Sequence, residues 1–140
     1  GNFICIYKCY VIYMLKKILN EMLLQLMYKI LFLGKTKYTM DISQEEWAEG
    51  IATDTNALVL DVRTEDEYNE GNIPNAINID IYKGQGFVYK LEELDKSKTY
   101  YVYCRSGARS GQACKIMNEM GFEKAYNLLG GIIAWEGEIE

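Results

Sequence analysis

The residues best able to do chemistry in this sequence lie in one short segment that begins at a cysteine. Two arginines, two serines and a glycine follow within six residues, in the order Cys104-Arg105-Ser106-Gly107-Ala108-Arg109-Ser110. A glycine lets the backbone turn tightly, so that successive N–H groups can point at one atom. Such donors would stabilise a thiolate and bind an anion beside it. We therefore expect a reactive cysteine with a lowered pKa.

A predicted strand precedes this segment and a predicted helix follows it. The run Thr99–Tyr103 is rich in β-branched and aromatic residues, which favours a buried strand. Beyond the segment, Ala113, Ile116 and Met120 recur at helical spacing. Cys104 is therefore predicted to lie on a strand-to-helix turn, next to the positive end of the helix dipole. The alternative is a buried cysteine at a strand end, followed by a charged turn and without a chemical role.

Histidine is absent from all 140 residues, and this restricts the chemistry. The absence excludes Cys–His and Ser–His–Asp catalysis and any imidazole metal ligand. The four cysteines are not spaced as a zinc cluster either. The thiolate must then depend on dipoles and cations, and its reaction should release a group that needs no proton. We expect neither a metal nor a resident cofactor.

The other cysteines are predicted to play no part in this reaction. Cys114 lies on the predicted helix, where packing is favoured over a role as a resolving thiol. Cys5 and Cys9 lie near the N-terminus. So few cysteines do not make a disulfide framework, which favours a reducing compartment and a cytoplasmic location.

Charge divides the chain into two parts. Residues 1–40 carry six lysines and one glutamate, whereas residues 41–140 carry nine basic and nineteen acidic side chains. An acidic main body argues against a nucleic-acid partner, because phosphate binding needs clustered lysines and arginines. We predict an apolar, basic N-terminal appendage over residues 1–39 and one globular domain over residues 40–140.

The appendage is mostly apolar, but each stretch long enough to span a membrane contains a charged residue. Polar residues recur every four positions from Lys17 to Lys29, which predicts an amphipathic helix over about residues 11–33. This helix could bind a membrane surface, pack on the domain or mediate self-association, and all three stay open. Gly34–Lys37 is predicted to be a polar linker. Part of the appendage could also be non-native sequence, with translation beginning inside it.

Turn and capping signals divide the globular domain into alternating strands and helices. Capping boxes at Ser43–Glu46 and Thr64–Glu67 predict the starts of two helices. The further predicted elements are strands at 57–60, 77–79, 99–103 and 125–129, a loop at 82–85, a short helix or turn around Leu91 and Leu94, a helix at 108–120 and a short last helix around Trp135. This order predicts an α/β fold with a mainly parallel sheet. In such sheets ligands bind at the carboxyl ends of strands, where both Asp61 and Cys104 fall.

Four motifs in this order resemble those of the rhodanese family and cover residues 40–137. They are Asp61-Val62-Arg63 with Glu67-Tyr68, Gly71-Asn72-Ile73-Pro74-Asn75-Ala76, Cys104 to Ser110, and Gly130-Gly131 with Ala134-Trp135. The family more often has His and Gly where this chain has Asn72 and Asn75. The resemblance implies a three-layer domain in which helices flank a mainly parallel central sheet.

The resemblance also implies a reaction. In rhodaneses the loop cysteine takes a sulfane sulfur from thiosulfate or another donor and passes it to cyanide or a thiol, such as that of a thioredoxin-like protein. Cys104 would be the nucleophile and persulfide carrier, and Arg105 and Arg109 would bind the sulfonate of the donor. Backbone N–H groups from Arg105 to Ser110 would stabilise the thiolate, with Ser106, Gly107 and Ala108 inside this donor ring.

Asp61, Arg63 and Glu67 are expected to give structural support. Arg63 and Glu67 are four residues apart and are predicted to pair on a helix, while Asp61 would brace a loop. Two other functions stay open: a catalytically silent interaction or sensor module, and a cysteine phosphatase or arsenate reductase. Phosphatases keep five residues between their cysteine and arginine, whereas four separate Cys104 from Arg109, which favours sulfur over phosphate.

Overall fold

The computed structural model describes residues 2–33 and 40–140, which fall into two units. The predicted linker Gly34–Lys37 lies outside the described residues. The described part of the first unit is the helix α1 (Asn2–Leu33), which begins nine residues before the predicted start. The helix predicted over residues 11–33 lies within α1, and its amphipathic character stays a prediction. None of the described helices has both the length and the apolar character of a membrane-spanning segment.

The second unit is an α/β domain. Its elements are β1 (Asp41–Ile42), α2 (Gln44–Thr53), β2 (Ala57–Asp61), α3 (Glu65–Glu70), β3 (Ile77–Asn78), a 3-10 turn (Ile81–Lys83), α4 (Gln85–Glu92), β4 (Thr99–Tyr103), α5 (Ala108–Glu119), β5 (Lys124–Leu128) and a second 3-10 turn (Ile132–Ala134). The sheet order is β1-β5-β4-β2-β3, and every neighbouring pair is parallel. The predicted fold class is confirmed.

The central strand β4 is buried on both faces, so it is the strand around which the core forms. Tyr100 and Val102 project into a cluster with residues of α4 and α5. Tyr101 and Tyr103 project to the other face, where they meet Trp47 of α2. Helices thus cover both faces of the sheet, which is the three-layer arrangement that the resemblance to the rhodanese family implied.

Capping residues begin the helices where the sequence indicates. Thr64 accepts a hydrogen bond from the Glu67 N–H, and the Glu67 carboxylate accepts one from the Thr64 N–H at 3.1 Å, which completes the predicted capping box. Ser43 caps α2 by accepting a hydrogen bond from the Glu46 N–H at 3.2 Å. Trp135, at the end of the second 3-10 turn, donates its indole N–H to the Glu138 carbonyl at 3.1 Å.

The sequence prediction was wrong over residues 82–85. Instead of a loop, the chain forms a 3-10 turn and then begins α4 at Gln85. The reason is burial: Phe87 and Leu91 are four residues apart, lie on one face of α4 and are both fully buried. The two glycines of this segment obscured that apolar stripe.

We predict that Gly50→Ala destabilises the domain. Gly50 lies in α2 where an added Cβ would overlap the ring of Tyr101. That ring is buried and is held edge-on against Trp47 at 5.8 Å between centroids, so it cannot move aside. Urea unfolding should show a loss of about 1 to 3 kcal/mol.

The matched control is Gly86→Ala in α4, where an added Cβ meets only Lys83 Cβ at an ordinary 3.5 Å. Alanine has the higher helix propensity, so this variant should unfold at the wild-type urea concentration or above it. Equal midpoints for the two variants would contradict the packing argument.

Candidate active site

The site is built on the turn between β4 and α5. Cys104 directly follows β4, and Gly107 caps the N-terminus of α5 with a φ of 99°, a left-handed conformation that favours glycine. This turn brings the Gly107 N–H to 3.1 Å from Cys104 Sγ. An added Cβ on Gly107 would also lie 3.2 Å from the Leu128 carbonyl oxygen, so the position is restricted by space as well.

Cys104 lies at the bottom of a ring of hydrogen-bond donors and is only 1% exposed. Burial by itself would raise the pKa of its thiol. The Ser110 hydroxyl, 3.2 Å from the sulfur, and the N–H groups of Ser110, Gly107 and Ser106 outweigh burial and lower that pKa. The arrangement is that of a stabilised thiolate at the N-terminus of a helix.

The two arginines of the loop have different surroundings. Arg105 is exposed, and its guanidinium has no hydrogen-bond or ion-pair partner among residues 2–33 and 40–140. Arg109 instead makes a bidentate ion pair with Glu67, with N–O distances of 2.7 and 2.8 Å, and lies over the Tyr82 ring. The hydrogen bonds from Arg109 lower the pKa of Glu67 to about 2. Of the two loop arginines, Arg105 is therefore the one whose guanidinium is unpaired.

Arg63 does not pair with Glu67, so that prediction was wrong. Its guanidinium binds the Asp61 carboxylate at 2.7 Å and the Gly71 carbonyl at 2.7 Å, and the carboxylate also accepts a hydrogen bond from the Tyr103 hydroxyl at 2.6 Å. All three side chains of this cluster are buried. Asp61, at the end of β2, has Arg63 and Tyr103 as its partners.

One functional candidate was missed by the sequence analysis. Asn127 of β5 is 3% exposed, and its Oδ1 lies 2.6 Å from the Ser110 hydroxyl oxygen. Its Nδ2 donates to Asp41 at 2.8 Å and to the Gly107 carbonyl at 3.1 Å. The sequence does contain a signal for Asn127, because it is the polar residue of an otherwise apolar predicted strand. Buried polar side chains in strands generally have hydrogen-bond partners, so such an asparagine indicates a specific contact.

Cys114 lies in the core behind the site and is fully buried. Burial raises the pKa of this thiol to about 12. It is therefore a packing residue at neutral pH, whereas Cys104 is the activated thiol. The described residues contain no group of acidic or cysteine side chains that could hold a metal ion.

A loop of N–H and O–H donors around a cysteine with a lowered pKa, at the carboxyl end of a parallel sheet, defines the class of site. Comparison with known proteins identifies the family: the profile of the Rhodanese-like domain matches residues 43–138. The chain belongs to this family, as the four sequence motifs indicated.

Similar proteins cover most of the globular domain. YtwF of Bacillus subtilis is 43% identical over 98 residues, which are 70% of this chain and 91% of that protein. The thiosulfate sulfurtransferase GlpE of Coxiella burnetii (strain RSA 331) is 35% identical over 79 residues, which are 56% of this chain and 71% of GlpE. A crystal structure of a rhodanese-like domain protein from Staphylococcus aureus superposes with a TM-score of 0.63 and 29% identity, and it covers 73% of this chain and 97% of that one.

We predict that Glu67→Gln destabilises the domain at neutral pH but not in acid. Glutamine keeps the capping hydrogen bonds of α3 but has no charge to pair with Arg109. The Glu67 pKa falls from 4.5 to about 2 on folding. The contribution of its charge to the free energy of unfolding is therefore complete above pH 4.5 and is lost as the pH falls towards 2. The partly exposed pair should be worth on the order of 1 kcal/mol in unfolding experiments.

The control is Glu92→Gln, which removes the exposed pair between Glu92 and Lys96 at 3.3 Å. It should lower the unfolding free energy by less than about 0.5 kcal/mol. A Glu67→Gln effect that is equally large at pH 7 and pH 3 would argue against the ion pair as its source.

Proposed function

We propose that this chain is a sulfurtransferase that carries a sulfane sulfur as a persulfide on Cys104. The observation that carries the proposal is the lowered pKa of a cysteine surrounded by N–H donors. Such a thiolate is a nucleophile at neutral pH without a general base. The same donors suit the negative charge of a persulfide, which extends one sulfur further into the ring.

The proposed reaction balances without a proton or a redox partner. The Cys104 thiolate attacks the outer sulfur of thiosulfate, a new S–S bond forms, and the bond to the sulfonate breaks with its electron pair on sulfite. An acceptor thiolate or cyanide then attacks the outer sulfur of the persulfide and releases Cys104 as a thiolate. No imidazole is needed, because sulfite leaves as a stable anion.

Thiosulfate is the donor we propose to test first. GlpE, a thiosulfate sulfurtransferase, is 35% identical over the matched residues. Arg105 is the exposed cation beside Cys104 and is the residue we assign to the sulfonate of the donor. Arg109, which is already paired with Glu67, is assigned the secondary role of orienting the loop.

We predict that Cys104→Ser abolishes sulfur uptake. After incubation with thiosulfate, the intact mass of the wild-type chain should increase by one sulfur atom, and cyanide should remove that atom as thiocyanate. The variant should show neither change. Because Cys5 and Cys9 are exposed thiols, the double variant Cys5→Ser/Cys9→Ser serves as the control and should load normally.

Other outcomes separate the alternatives. If the wild type takes no sulfur from thiosulfate, persulfide donors or polysulfide, and is as inert as Cys104→Ser, the chain is an interaction module. Hydrolysis of an aryl phosphate that depends on Cys104 would instead indicate a phosphatase and contradict the argument from loop size.

We predict that Arg105→Met raises the KM for thiosulfate about tenfold and leaves kcat within about twofold, because one charge-assisted contact to the donor is lost.

The matched control is Lys124→Met. Lys124 begins β5 in register with Thr99, so it lies at the opposite end of the sheet from Cys104. Equal KM values for Arg105→Met and Lys124→Met would show that only the net charge matters.

A further inference from the structure

One buried hydroxyl lies between two acceptors. Ser110 Oγ is 3.2 Å from Cys104 Sγ and 2.6 Å from Asn127 Oδ1, and the Ser110 side chain is fully buried. A serine hydroxyl has a single proton to donate. It can serve the sulfur or the amide oxygen, but not both at once.

The Asn127 amide cannot turn round to remove this competition. Its Nδ2 lies 2.8 Å from a carboxylate oxygen of Asp41 and 3.1 Å from the Gly107 carbonyl. Both of these groups only accept hydrogen bonds. A turned amide would bring its own oxygen against them, so Asn127 must present Oδ1 to Ser110.

Cys104 Sγ differs in its strength as a hydrogen-bond acceptor between the two states of the proposed reaction. In the free enzyme the negative charge is on Sγ, which makes it a strong acceptor. In the persulfide the charge moves to the outer sulfur, and Sγ becomes an uncharged atom between two bonds. The Ser110 proton is then free to turn to Asn127.

We propose that Asn127 is a positioning residue that holds the Ser110 proton when Cys104 carries the transferred sulfur and that competes for this proton when Cys104 is a free thiolate. Asn127 thereby favours the loaded enzyme over the empty one. The proposal rests on the proposed sulfur transfer for its loaded state, whereas the competition for the proton can be measured in the free enzyme.

The first test measures the Cys104 pKa. The rate at which iodoacetamide alkylates the Cys104 peptide is followed by mass spectrometry across pH in the full chain. Asn127→Leu removes the competing acceptor, so Ser110 donates to the thiolate alone and the Cys104 pKa should fall. The expected fall corresponds to about a threefold to tenfold increase in the ionisation constant of the thiol, which is the effect of one hydrogen bond. The shift must disappear in a Ser110→Ala background. No shift, a rise, or the same shift without Ser110 would overturn the proposal.

The guanidinium groups near Cys104, those of Arg105 and Arg109, are the same in Asn127→Leu and Ser110→Ala. Arg109 and Cys114, both on α5, interact electrostatically with the Cys104 sulfur, and Asp41 of β1 interacts with Cys114. If Asn127→Leu fails to fold, Asp41→Asn is the second variant. Asp41 is exposed, and an amide at this position replaces one of the two acceptors that fix the Asn127 amide, which weakens its preference for presenting Oδ1 to Ser110. The effect of Asp41→Asn on the Cys104 pKa is measured with Ser110 and with Ser110→Ala. The part of this effect that requires Ser110 should again lower the pKa, and the absence of that part would contradict the proposal.

The second test measures the loaded state. At fixed concentrations of thiosulfate and sulfite, the ratio of persulfide to free enzyme should be about threefold to tenfold lower in Asn127→Leu than in the wild type. An unchanged ratio overturns the preference for the loaded state. If the wild type itself takes no sulfur, the proposed function fails, and the alkylation experiment still decides whether Asn127 competes for the Ser110 proton.

Discussion

The active loop depends on one constraint: carbonyl groups at its start, beside the N–H groups that face the sulfur, need hydrogen-bond partners elsewhere in the chain. The turn Ile132–Ala134 supplies them, since the Ile132 N–H donates to the Cys104 carbonyl at 2.9 Å and the Ile133 N–H donates to the Arg105 carbonyl at 3.2 Å. Gly131 makes this approach possible, because an added Cβ would overlap the Arg105 backbone. The double glycine near the C-terminus is therefore part of the site although it never touches the sulfur.

A buried ion pair fixes the neighbouring end of the sheet. Asp61 and Tyr103 are register partners on β2 and β4, which places their side chains together, and the Tyr103 hydroxyl also accepts the Ile73 N–H at 3.0 Å. Arg63 closes the cluster by binding the Gly71 carbonyl. A buried charge pair is stable only when its remaining polar atoms are satisfied, and these contacts meet that requirement. The segment between α3 and β3 is thus fixed to the same strand that carries Cys104.

Local features of the chain could be predicted from the sequence, whereas long-range pairs could not. The strand before Cys104, the capping box at Thr64 and the left-handed Gly107 follow from short-range rules. The proposed pair between Arg63 and Glu67 failed because α3 begins only at Glu65, so the spacing of four does not apply on a helix face. Glu67 finds Arg109 instead, 42 residues away, a contact that only the packing of α3 against the loop determines.

The difference between the two loop arginines bears on the chemistry of the site. Two unpaired guanidinium groups would stabilise every anion in the loop, including the thiolate, the donor and the persulfide, and would slow release of a doubly charged sulfite. Pairing of Arg109 with Glu67 offsets one of these charges and keeps that side chain in a fixed geometry. In the proposed reaction the thiolate then depends mainly on neutral N–H and O–H donors, whose hydrogen bonds to Sγ weaken when the charge moves outward to the second sulfur. Such a site would suit the proposed carrier, which must bind a sulfur atom and give it up again in each cycle.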